Sequence, residues 1–297
     1  MVLGEEHWEW DHGGDNYVTL IDPNDLDTMY LEGMFGSMAR KDLKTGKSRG
    51  IRPGPAPEGK KLRFNWMTPF ILSHYDSKTL YAGANMLFKS ENRGDSWKCI
   101  SPELSGNMGP ERQGDVPFGT ITDISESALK KGLLYAGTDD GQVHVTMDDG
   151  ATWSKINNGL PHKWVSRVVA SKYNEGKVFI SLTGYREDDF EAYLYVSNDF
   201  GKTWKSLVNN MPSESINVIR EDPNDQDILY VGTELGAYCS IDNGKTWHSL
   251  CKTLPTCAVH DLALHAGTGD LVAGTHGRSA FVLHAREIQR MKQEMAK

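Results

Sequence analysis

The stretch SNDFGKTW (Ser197–Trp204) decides the fold, because it occurs in four variants along the chain. The other copies are SENRGDSW (Ser90–Trp97), TMDDGATW (Thr146–Trp153) and SIDNGKTW (Ser240–Trp247). All four fit the pattern Ser/Thr, x, Asp/Asn, x, Gly, x, Thr/Ser, Trp, and successive tryptophans lie 56, 51 and 43 residues apart. A motif that returns every ~40–55 residues is typical of a chain built from repeated structural units.

A second repeat, a short aliphatic-aromatic run that ends at or near glycine, occurs six times. Its copies are TMYLEG (28–33), TLYAGA (79–84), LLYAGT (133–138), KVFISL (177–182), ILYVGT (228–233) and DLVAGT (270–275). Each copy has one apolar run before it and another after it, which gives three predicted strands per unit. Where the eight-residue motif follows, a fourth strand begins at its tryptophan. Short strands at this spacing, with no helical periodicity between them, predict an all-β fold. We therefore expect a β-propeller of about six blades, each with four antiparallel strands, A to D.

The two ends of the chain complete this prediction. The sixth unit lacks a clear strand D, and the N-terminal HWEW (His7–Trp10) could supply that strand and close the ring. Residues 1–284 would then form the propeller. The tail, residues 285–297, has Ile288, Met291 and Met295 on one helical face. It predicts a short C-terminal helix, either docked on the propeller or available to a partner.

The eight-residue motif is expected at the hairpin between strands C and D. In each copy the Asp or Asn side chain should accept hydrogen bonds from the turn, the glycine should adopt positive φ, and the tryptophan should pack between blades. The residues with these structural roles are Asn92, Gly94, Trp97, Asp148, Gly150, Trp153, Asp199, Gly201, Trp204, Asp242, Gly244 and Trp247. A calcium loop of the EF-hand type needs more carboxylates and a distal glutamate, which the motif lacks. We predict no metal site and no cofactor.

The motif S-x-D-x-G-x-T-W is similar to the Asp-box, or BNR repeat, of sialidases, sortilin-type receptors and two-propeller xyloglucanases. RFNWMTPF (63–70) and LVAGTHGRSAFVL (271–283) most resemble bacterial sortilin-like proteins that are often described as glycosyl hydrolases. The resemblance covers roughly residues 13–284 and implies the propeller fold. Members of that family are often exported and usually carry further blades and a secretion signal, so the chain resembles a partial or reduced version. MVLGEEHWEW lacks the pattern of a signal peptide, which leaves the compartment open.

Composition argues against several kinds of partner. The chain carries 32 Lys and Arg against 40 Asp and Glu, a net charge of −8. No block of basic residues supplies the face that a nonspecific nucleic-acid binder needs, and no apolar run is long enough to insert into a membrane. Four cysteines do not make a disulfide framework, although Cys251 and Cys257 are close enough to bridge. We expect a protein, peptide or glycan partner, with no nucleic acid and no membrane insertion.

Binding residues are expected on the face formed by the B–C and D–A loops, since these loops are longer and more varied than the Asp-box turns. Polar and aromatic residues predicted there are Arg63, Asn65, Trp66, Asp139, Asp140, Trp164, Arg167, Glu234, His276 and Arg278. In a closed ring, blades one and six are neighbours. This predicts a cationic pocket centred on Arg63, Trp66, His276 and Arg278, which would favour an anionic ligand. In the alternative interpretation, the two arginines only pair with acids such as Glu32 and hold the seam between blades.

The predicted function is a binding scaffold for a peptide, protein or glycan on the long-loop face. The alternative is a glycoside hydrolase of the sialidase or xyloglucanase type, in which carboxylates from separate blades flank the scissile bond. Nothing in the sequence pairs two carboxylates, and Ile51-Arg52-Pro53 reverses the Arg-Ile-Pro segment of sialidases. There is also no nucleophile elbow and no phosphate-binding glycine loop. Catalytic residues therefore stay unassigned, and the pattern leans against an enzyme.

Overall fold

Six antiparallel sheets follow one another along the chain in the computed structural model, which describes residues 14–106, 114–250 and 254–295. Each sheet pairs its strands in chain order, from A to D. Five sheets have four strands, and the last has three among the described residues. The predicted all-β propeller with six blades and a short C-terminal helix is confirmed.

The first three blades contain twelve strands. Blade one contains β1 (Asn16–Asp22), β2 (Asp25–Gly33), β3 (Ser37–Asp42) and β4 (Ser48–Gly50). Blade two contains β5 (Phe70–Leu72), β6 (Leu80–Gly83), β7 (Leu87–Ser90) and β8 (Lys98–Cys99). Blade three contains β9 (Ile121–Glu126), β10 (Leu134–Thr138), β11 (Val143–Thr146) and β12 (Ser154–Lys155).

The other three blades follow the same order. Blade four contains β13 (Trp164–Ala170), β14 (Val178–Gly184), β15 (Asp189–Ser197) and β16 (Lys205–Ser206). Blade five contains β17 (Ile216–Glu221), β18 (Leu229–Thr233), β19 (Ala237–Ser240) and β20 (His248–Ser249). Blade six contains β21 (Val259–His265), β22 (Asp270–Thr275) and β23 (Ala280–His284), and helix α1 (Arg286–Met295) comes after it. Short 3-10 turns lie at Met34–Gly36 and Tyr185–Glu187.

Strand B is the buried centre of the blade. Every residue of β10 and of β18 is buried, because neighbouring blades cover both faces of these strands. Their tyrosines connect adjacent blades: Tyr135 shares an apolar cluster with Val168 of blade four, and Tyr230 shares one with Leu262 of blade six. The aliphatic-aromatic runs of the second repeat therefore form the core of the propeller.

The Asp-box turn fastens a blade to the one before it. Trp204 Nε1 donates a hydrogen bond of 2.7 Å to the carbonyl oxygen of Ile156, which directly follows strand D of blade three. The same bond recurs at 2.8 Å in the other three copies, from Trp97 to Ile51, from Trp153 to Ile100 and from Trp247 to Leu207. Trp247 is buried, whereas the other three tryptophans are half-buried. One motif thus provides both a hairpin turn and a contact between blades.

Within the turn, the Asp-box carboxylate holds the backbone. Asp199 Oδ1 accepts hydrogen bonds from Ser197 Oγ at 2.7 Å and Thr203 N at 2.9 Å, and Oδ2 accepts one from Thr203 Oγ1 at 2.7 Å. These hydrogen bonds, above all the one from the Thr203 hydroxyl, lower the pKa of Asp199 to about 2, since they favour its ionised form. Gly201 has φ of 85°, in the left-handed region that glycine adopts without strain.

Helix α1 closes the described chain against blades five and six. Ala285 and Ile288 are buried in the apolar cluster that these two blades share. The Lys292 ammonium lies 2.7 Å from Asp225 Oδ1 and 2.9 Å from Asp227 Oδ2, both in the A–B turn of blade five. The helix is therefore packed on the propeller, on the face of the A–B and C–D turns. No helix in the described ranges is long and apolar enough to cross a membrane.

Three sequence predictions concern residues or side chains that the structure does not describe. The segment HWEW (His7–Trp10), expected to complete blade six, is one of them, so ring closure by that segment stays a prediction. The second is the possible bridge between Cys251 and Cys257, because Cys251 is not described. Cys257 has a free thiol, as have Cys99 and Cys239. The side chains of Met291 and Met295, expected on the apolar face of the helix, are the third.

Candidate functional site

The most distinctive group on the long-loop face is an arginine that sequence reasoning did not single out. Arg186 lies in the B–C loop of blade four, within the 3-10 turn, and its guanidinium carbon lies 4.1 Å from the centroid of the Trp164 indole. Trp164 is the first residue of β13, which places this stack at the mouth of the channel. The guanidinium makes no hydrogen bond and no ion pair with any described residue. Stacking on an indole face stabilises a cation while its N–H donors remain available.

Two of the three acidic residues that follow Arg186 in its loop are engaged with a lysine. Glu187 Oε2 lies 2.8 Å and Asp189 Oδ2 lies 2.9 Å from the ammonium of Lys163. These ion pairs fix the loop to the start of blade four. They commit two of the three carboxylates of this loop to Lys163, and the third, Asp188, forms no hydrogen bond or ion pair with Arg186.

The charge around Arg186 is mixed. Arg186 is exposed, yet partial desolvation of its guanidinium by the surrounding protein lowers its pKa, and the carboxylates of Asp139 and Glu234 oppose that shift. Burial also lowers the pKa of His260; Glu234 opposes that shift, whereas the cations Arg167 and Arg186 and the nearby His276 add to it. Blades three to six thus place these groups close enough to affect one another's pKa values.

We call Trp164, Arg167, Arg186, His260 and His276 the mouth cluster. The rings of His260 and His276 lie 5.2 Å apart, because Val259 at the start of β21 pairs with Thr275 at the end of β22. The Arg167 guanidinium donates to the Ser166 carbonyl oxygen at 2.8 Å and, more weakly, to that of His260 at 3.4 Å. Arg186 thus stacks on Trp164, while Arg167, His260 and His276 form a second connected group.

Below the mouth, the channel wall carries paired charges. Arg220 Nη2 lies 2.6 Å from Asp261 Oδ1, and Arg167 Nη2 lies 3.9 Å from the same oxygen. Asp123 Oδ2 accepts the Val168 N–H at 2.7 Å; burial raises the pKa of Asp123, and Arg167 opposes that shift. The arginines that face the channel interior therefore form ion pairs with aspartates, whereas Arg186 does not.

Asp139, one of the predicted site residues, fastens a loop. Its Oδ1 accepts the backbone N–H groups of Gly119 and Thr120 at 2.9 Å each. Its Oδ2 accepts Thr120 Oγ1 at 2.6 Å and Asn65 Nδ2 at 3.2 Å. Burial raises its pKa to about 6, against these hydrogen bonds. Both oxygens are engaged and the residue is 3% exposed, so it offers little to a ligand.

Asp140 and Glu234 also have partners. Asp140 Oδ1 accepts Thr138 Oγ1 at 2.5 Å, and its Oδ2 accepts the backbone N–H of Gly106 at 2.5 Å. Glu234 Oε1 accepts Asn217 Nδ2 at 3.0 Å. Glu234 thus faces the mouth cluster with its second oxygen uncommitted to a hydrogen bond among the described residues.

Arg63 and Trp66 hold the long loop that precedes blade two. Arg63 forms an ion pair with Glu103 and donates to Ser105 Oγ at 3.1 Å and to the Gly119 carbonyl oxygen at 3.0 Å. Trp66 Nε1 donates to the Tyr17 hydroxyl, and its ring packs edge-on against Phe35 at 5.0 Å. These contacts are those of a clamp between the loop and blades one to three.

The structure does not join this clamp to blade six. His276 and Arg278 are both exposed in the B–C loop of blade six, and within the described residues no contact connects either to Arg63 or Trp66. The pocket centred on these four residues stays a prediction. Of the predicted site residues, Trp164, Arg167, Glu234 and His276 come together instead, with Arg186 and His260 added.

The comparisons with known proteins agree with the fold. The family model for Sortilin-Vps10 (sortilin, neurotensin receptor 3) matches residues 141–266, which is less than half of the chain. The resemblance to sortilin-like Asp-box propellers is confirmed. No curated protein matches the chain.

Solved structures with the same fold have several functions. A GH74 xyloglucanase from Xanthomonas campestris is 17% identical, with a TM-score of 0.63 over 89% of this chain and 44% of that chain. The extracellular domain of a putative hybrid two-component system from B. thetaiotaomicron is 13% identical, with a TM-score of 0.64 over 97% of this chain and 36% of that chain. YCF48 bound to D1 peptide is 16% identical, with a TM-score of 0.54 over 91% of this chain and 81% of that chain. The chain spans less than half the length of the first two proteins, and at these identities the likeness shows the fold alone.

Proposed function

We propose that this propeller is a binding scaffold that takes a peptide, protein or glycan through an acidic group at the mouth cluster. The observation that carries the proposal is the Arg186 guanidinium, which lies on Trp164 and has no acidic partner among the described residues. A guanidinium presents a planar set of N–H donors that matches a carboxylate. Partial removal from water strengthens such a pair compared with one on an open surface.

The surroundings of Arg186 suit a ligand that is only partly charged. Tyr185 in the same loop and Phe190 at the start of β15 are each 51% exposed and pack edge-to-face with ring centroids 5.8 Å apart. Leu235 in the next B–C loop is 52% exposed. These apolar groups offer contact surface beside the cation. An acidic group attached to an apolar side chain or to a sugar ring would use both.

The fold supports several ligand classes. Among the proteins of similar structure, YCF48 is bound to a peptide, another is a GH74 xyloglucanase, and a third is the extracellular domain of a putative two-component system. For this chain we favour binding over hydrolysis, because Asp139 has both oxygens engaged and is buried. A glycoside hydrolase would need a second carboxylate facing the bond beside Glu234.

The test is a binding screen by calorimetry with matched probes. One pair is a short apolar peptide with a free carboxyl terminus and its C-terminal amide; another is a glucuronate oligosaccharide and a neutral gluco-oligosaccharide. We expect the acidic member of at least one pair to bind more tightly. Product analysis of the oligosaccharide samples tests hydrolysis in the same experiment.

Two arginine variants then locate the site. Arg186→Ala should weaken binding at least about tenfold, since a charge-assisted pair is lost, and should leave the melting temperature nearly unchanged. Arg290→Ala, on exposed α1, is the control with the same charge change. If Arg278→Ala removes binding while Arg186→Ala spares it, the site lies at the pocket predicted around blade six. If no acidic probe is preferred, the proposed function is wrong.

A further inference from the structure

A wide groove of about 930 Å³ lies between blades one and two, on the face of the A–B and C–D turns. It is therefore remote from the mouth cluster, which lies on the long-loop face. One wall is the hairpin of β3 and β4 in blade one. The other wall is the A–B turn and the Asp-box turn of blade two.

The groove has a surplus of positive charge in a protein whose net charge is −8. Its cationic residues are Arg40, Lys41, Lys47, Arg49, Lys78 and Arg93. Its acidic residues are Asp25, Asp42 and Asp95, half as many. Net charge taken over the whole chain hides this local surplus. The sequence contains no block of basic residues, and the fold brings these cations together from blades one and two.

The three carboxylates of the groove are already committed. Asp95 Oδ1 is shared by two arginines, Arg40 at 3.2 Å and Arg49 at 2.9 Å. Asp25 Oδ2 lies 3.1 Å from the Arg93 guanidinium. Asp42 Oδ1 accepts the backbone N–H of Thr45 at 2.8 Å, within its own turn.

Two lysines of the groove have no such partner. Lys47 and Lys78 lie on opposite walls, both are exposed, and neither forms an ion pair with a described carboxylate. Arg49 keeps donors free, because it shares a single oxygen of Asp95 and is 62% exposed. Cations thus face the groove from both blades.

The Asp-box that lines this groove differs from the other three copies by having a neutral residue in place of the aspartate. Asn92 stands where the other three copies have Asp148, Asp199 and Asp242. It keeps the turn: its Oδ1 accepts Ser90 Oγ and Ser96 N, each at 2.9 Å, and its Nδ2 donates to Ser96 Oγ at 2.8 Å. The asparagine therefore performs the structural task of the aspartate without adding a negative charge to the groove wall.

From these observations we propose that the groove binds a small ligand or sugar that carries two or more sulfate or phosphate esters. Such groups have several acceptor oxygens and are multiply charged, which suits cations placed on two walls of an open polar groove. The groove is too wide and too polar to select by shape. Recognition would depend on charge and should weaken with salt.

The test uses the full chain and two defined probes, inositol hexakisphosphate and sucrose octasulfate, by calorimetry at 50 and 200 mM NaCl. We expect at least one probe to bind with a Kd below about 0.1 mM at the lower salt concentration, and several-fold more weakly at the higher one. Binding of one probe rather than the other distinguishes phosphate from sulfate esters. If neither binds below about 1 mM, the proposal is wrong.

Variants assign the binding to the groove. Lys47→Gln, Arg49→Gln and Lys78→Gln together should lower the affinity by about 30-fold or more, because three cations near the ligand are lost. The matched control, Lys202→Gln, Lys205→Gln and Lys245→Gln, removes the same charge from exposed positions of blades four and five and should change the affinity by less than about threefold. An equal loss in both triple variants would mean nonspecific attraction and would overturn the assignment.

A single substitution gives the sharpest test. Asn92→Asp restores the consensus motif, so it should fold, and it should weaken probe binding by about three- to tenfold through one added negative charge. Asp199→Asn is the converse change in a motif outside the groove and should leave binding unaffected. An Asn92→Asp variant with wild-type affinity and an unchanged melting temperature would contradict the proposal. Arg186→Ala should not affect this binding, which separates the groove from the site on the other face.

Discussion

The seams that the Asp-boxes form and the seam of blade six are built differently. From blade two to blade five, a tryptophan donates to the residue after strand D of the preceding blade, as Trp153 does to Ile100 at 2.8 Å. Blade six has no Asp-box and is joined to blade five by unrelated contacts, such as Arg220 Nε to the Leu262 carbonyl oxygen at 2.9 Å. A repeated motif therefore gives repeated seams, whereas the end of the repeat depends on individual contacts.

Blade six is also the more exposed part of the ring. Its outer strand β23 has no neighbour on one side among the described residues, and Val282 is 64% exposed. Its interblade hydrogen bonds, within the described ranges, go to blades four and five and none to blade one. The glycine contacts of the Asp-box seams should therefore tolerate substitution least, and the surface ion pairs between the helix and blade five should tolerate it most.

The largest effect is expected where an Asp-box glycine is pressed against the preceding blade. A Cβ atom at Gly150 would lie 2.5 Å from the Ile100 carbonyl oxygen, and Gly150 has φ of 89°. Gly150→Ala should lower the free energy of unfolding by about 3–4 kcal/mol, from backbone strain together with overpacking. Chemical denaturation followed by tryptophan fluorescence measures this loss.

The control for this variant is another glycine with the same backbone but open space. Gly159 has φ of 82°, and no atom lies within 4 Å of the position that an added Cβ would occupy. Gly159→Ala should therefore cost only about 1–2 kcal/mol. Equal losses in the two variants would mean that the close approach between blades contributes nothing to the cost.

The repeat made the scaffold predictable, because the same physical requirement recurs at a fixed spacing. The four Asp-boxes and six strand-B runs each indicate a local structure, and together they predicted the blade number and the strand order. The site could not be derived in the same way. Nothing near Arg63 in the sequence reveals that Glu103 pairs with it.

The mouth cluster also depends on contacts between residues that are distant in the sequence. Arg186 was missed because its position over Trp164 depends on the path of its loop. Lys163 also engages two of the neighbouring acids, Glu187 and Asp189, which the sequence alone does not reveal.

His260 had a usable signal. His260 follows Val259, the first residue of β21, and His276 follows Thr275, the last residue of β22. Because Val259 pairs with Thr275, the hairpin register alone brings the two histidines close.

A second prediction concerns a place where the repeat is broken in blade one. Glu32 stands where other blades have Gly83, Gly137 and Gly232, and it is fully buried. Its Oε1 accepts the Thr68 N–H at 3.1 Å, while Oε2 has no partner among the described residues. Burial raises the pKa of Glu32 to about 8, against the opposing hydrogen bonds from Thr68 and Gly36.

The sign of the pH effect follows from this raised pKa. The folded protein holds the proton that the unfolded chain releases near pH 4.5, so the contribution of Glu32 is complete below that pH and is lost as pH rises through about 8. Glu32→Gln should therefore change stability little at pH 4 and increase it by about 2–4 kcal/mol at pH 9. Denaturation curves at the two pH values measure the difference. A gain that is the same at both would contradict the assignment, and Glu91→Gln, on the exposed turn of blade two, is the surface control.

A third, smaller effect is expected from the Asp-box carboxylate. Asp199→Ala removes the acceptor of three hydrogen bonds in an exposed turn and should lower the melting temperature by a few degrees, less than Gly150→Ala does. Asp199→Asn should lose less, because Asn92 already maintains the equivalent turn in blade two. Melting curves with and without a chelator complete the test. A chelator effect on the wild type that is absent in Asp199→Ala would mean that the turn binds an ion.

The smallest effect is expected where helix α1 meets blade five. Lys292 is 27% exposed and reaches Asp225 and Asp227, but ion pairs near the surface contribute at most about 1 kcal/mol because water competes for both partners. Lys292→Met should therefore lower the free energy of unfolding by less than about 1 kcal/mol, and high salt should narrow the difference from wild type. Ile288→Ala, which opens the buried apolar contact of the same helix, should cost about 2–4 kcal/mol and serves as the comparison. A Lys292→Met loss as large as that of Ile288→Ala would show that charge, rather than apolar burial, holds the helix on the propeller.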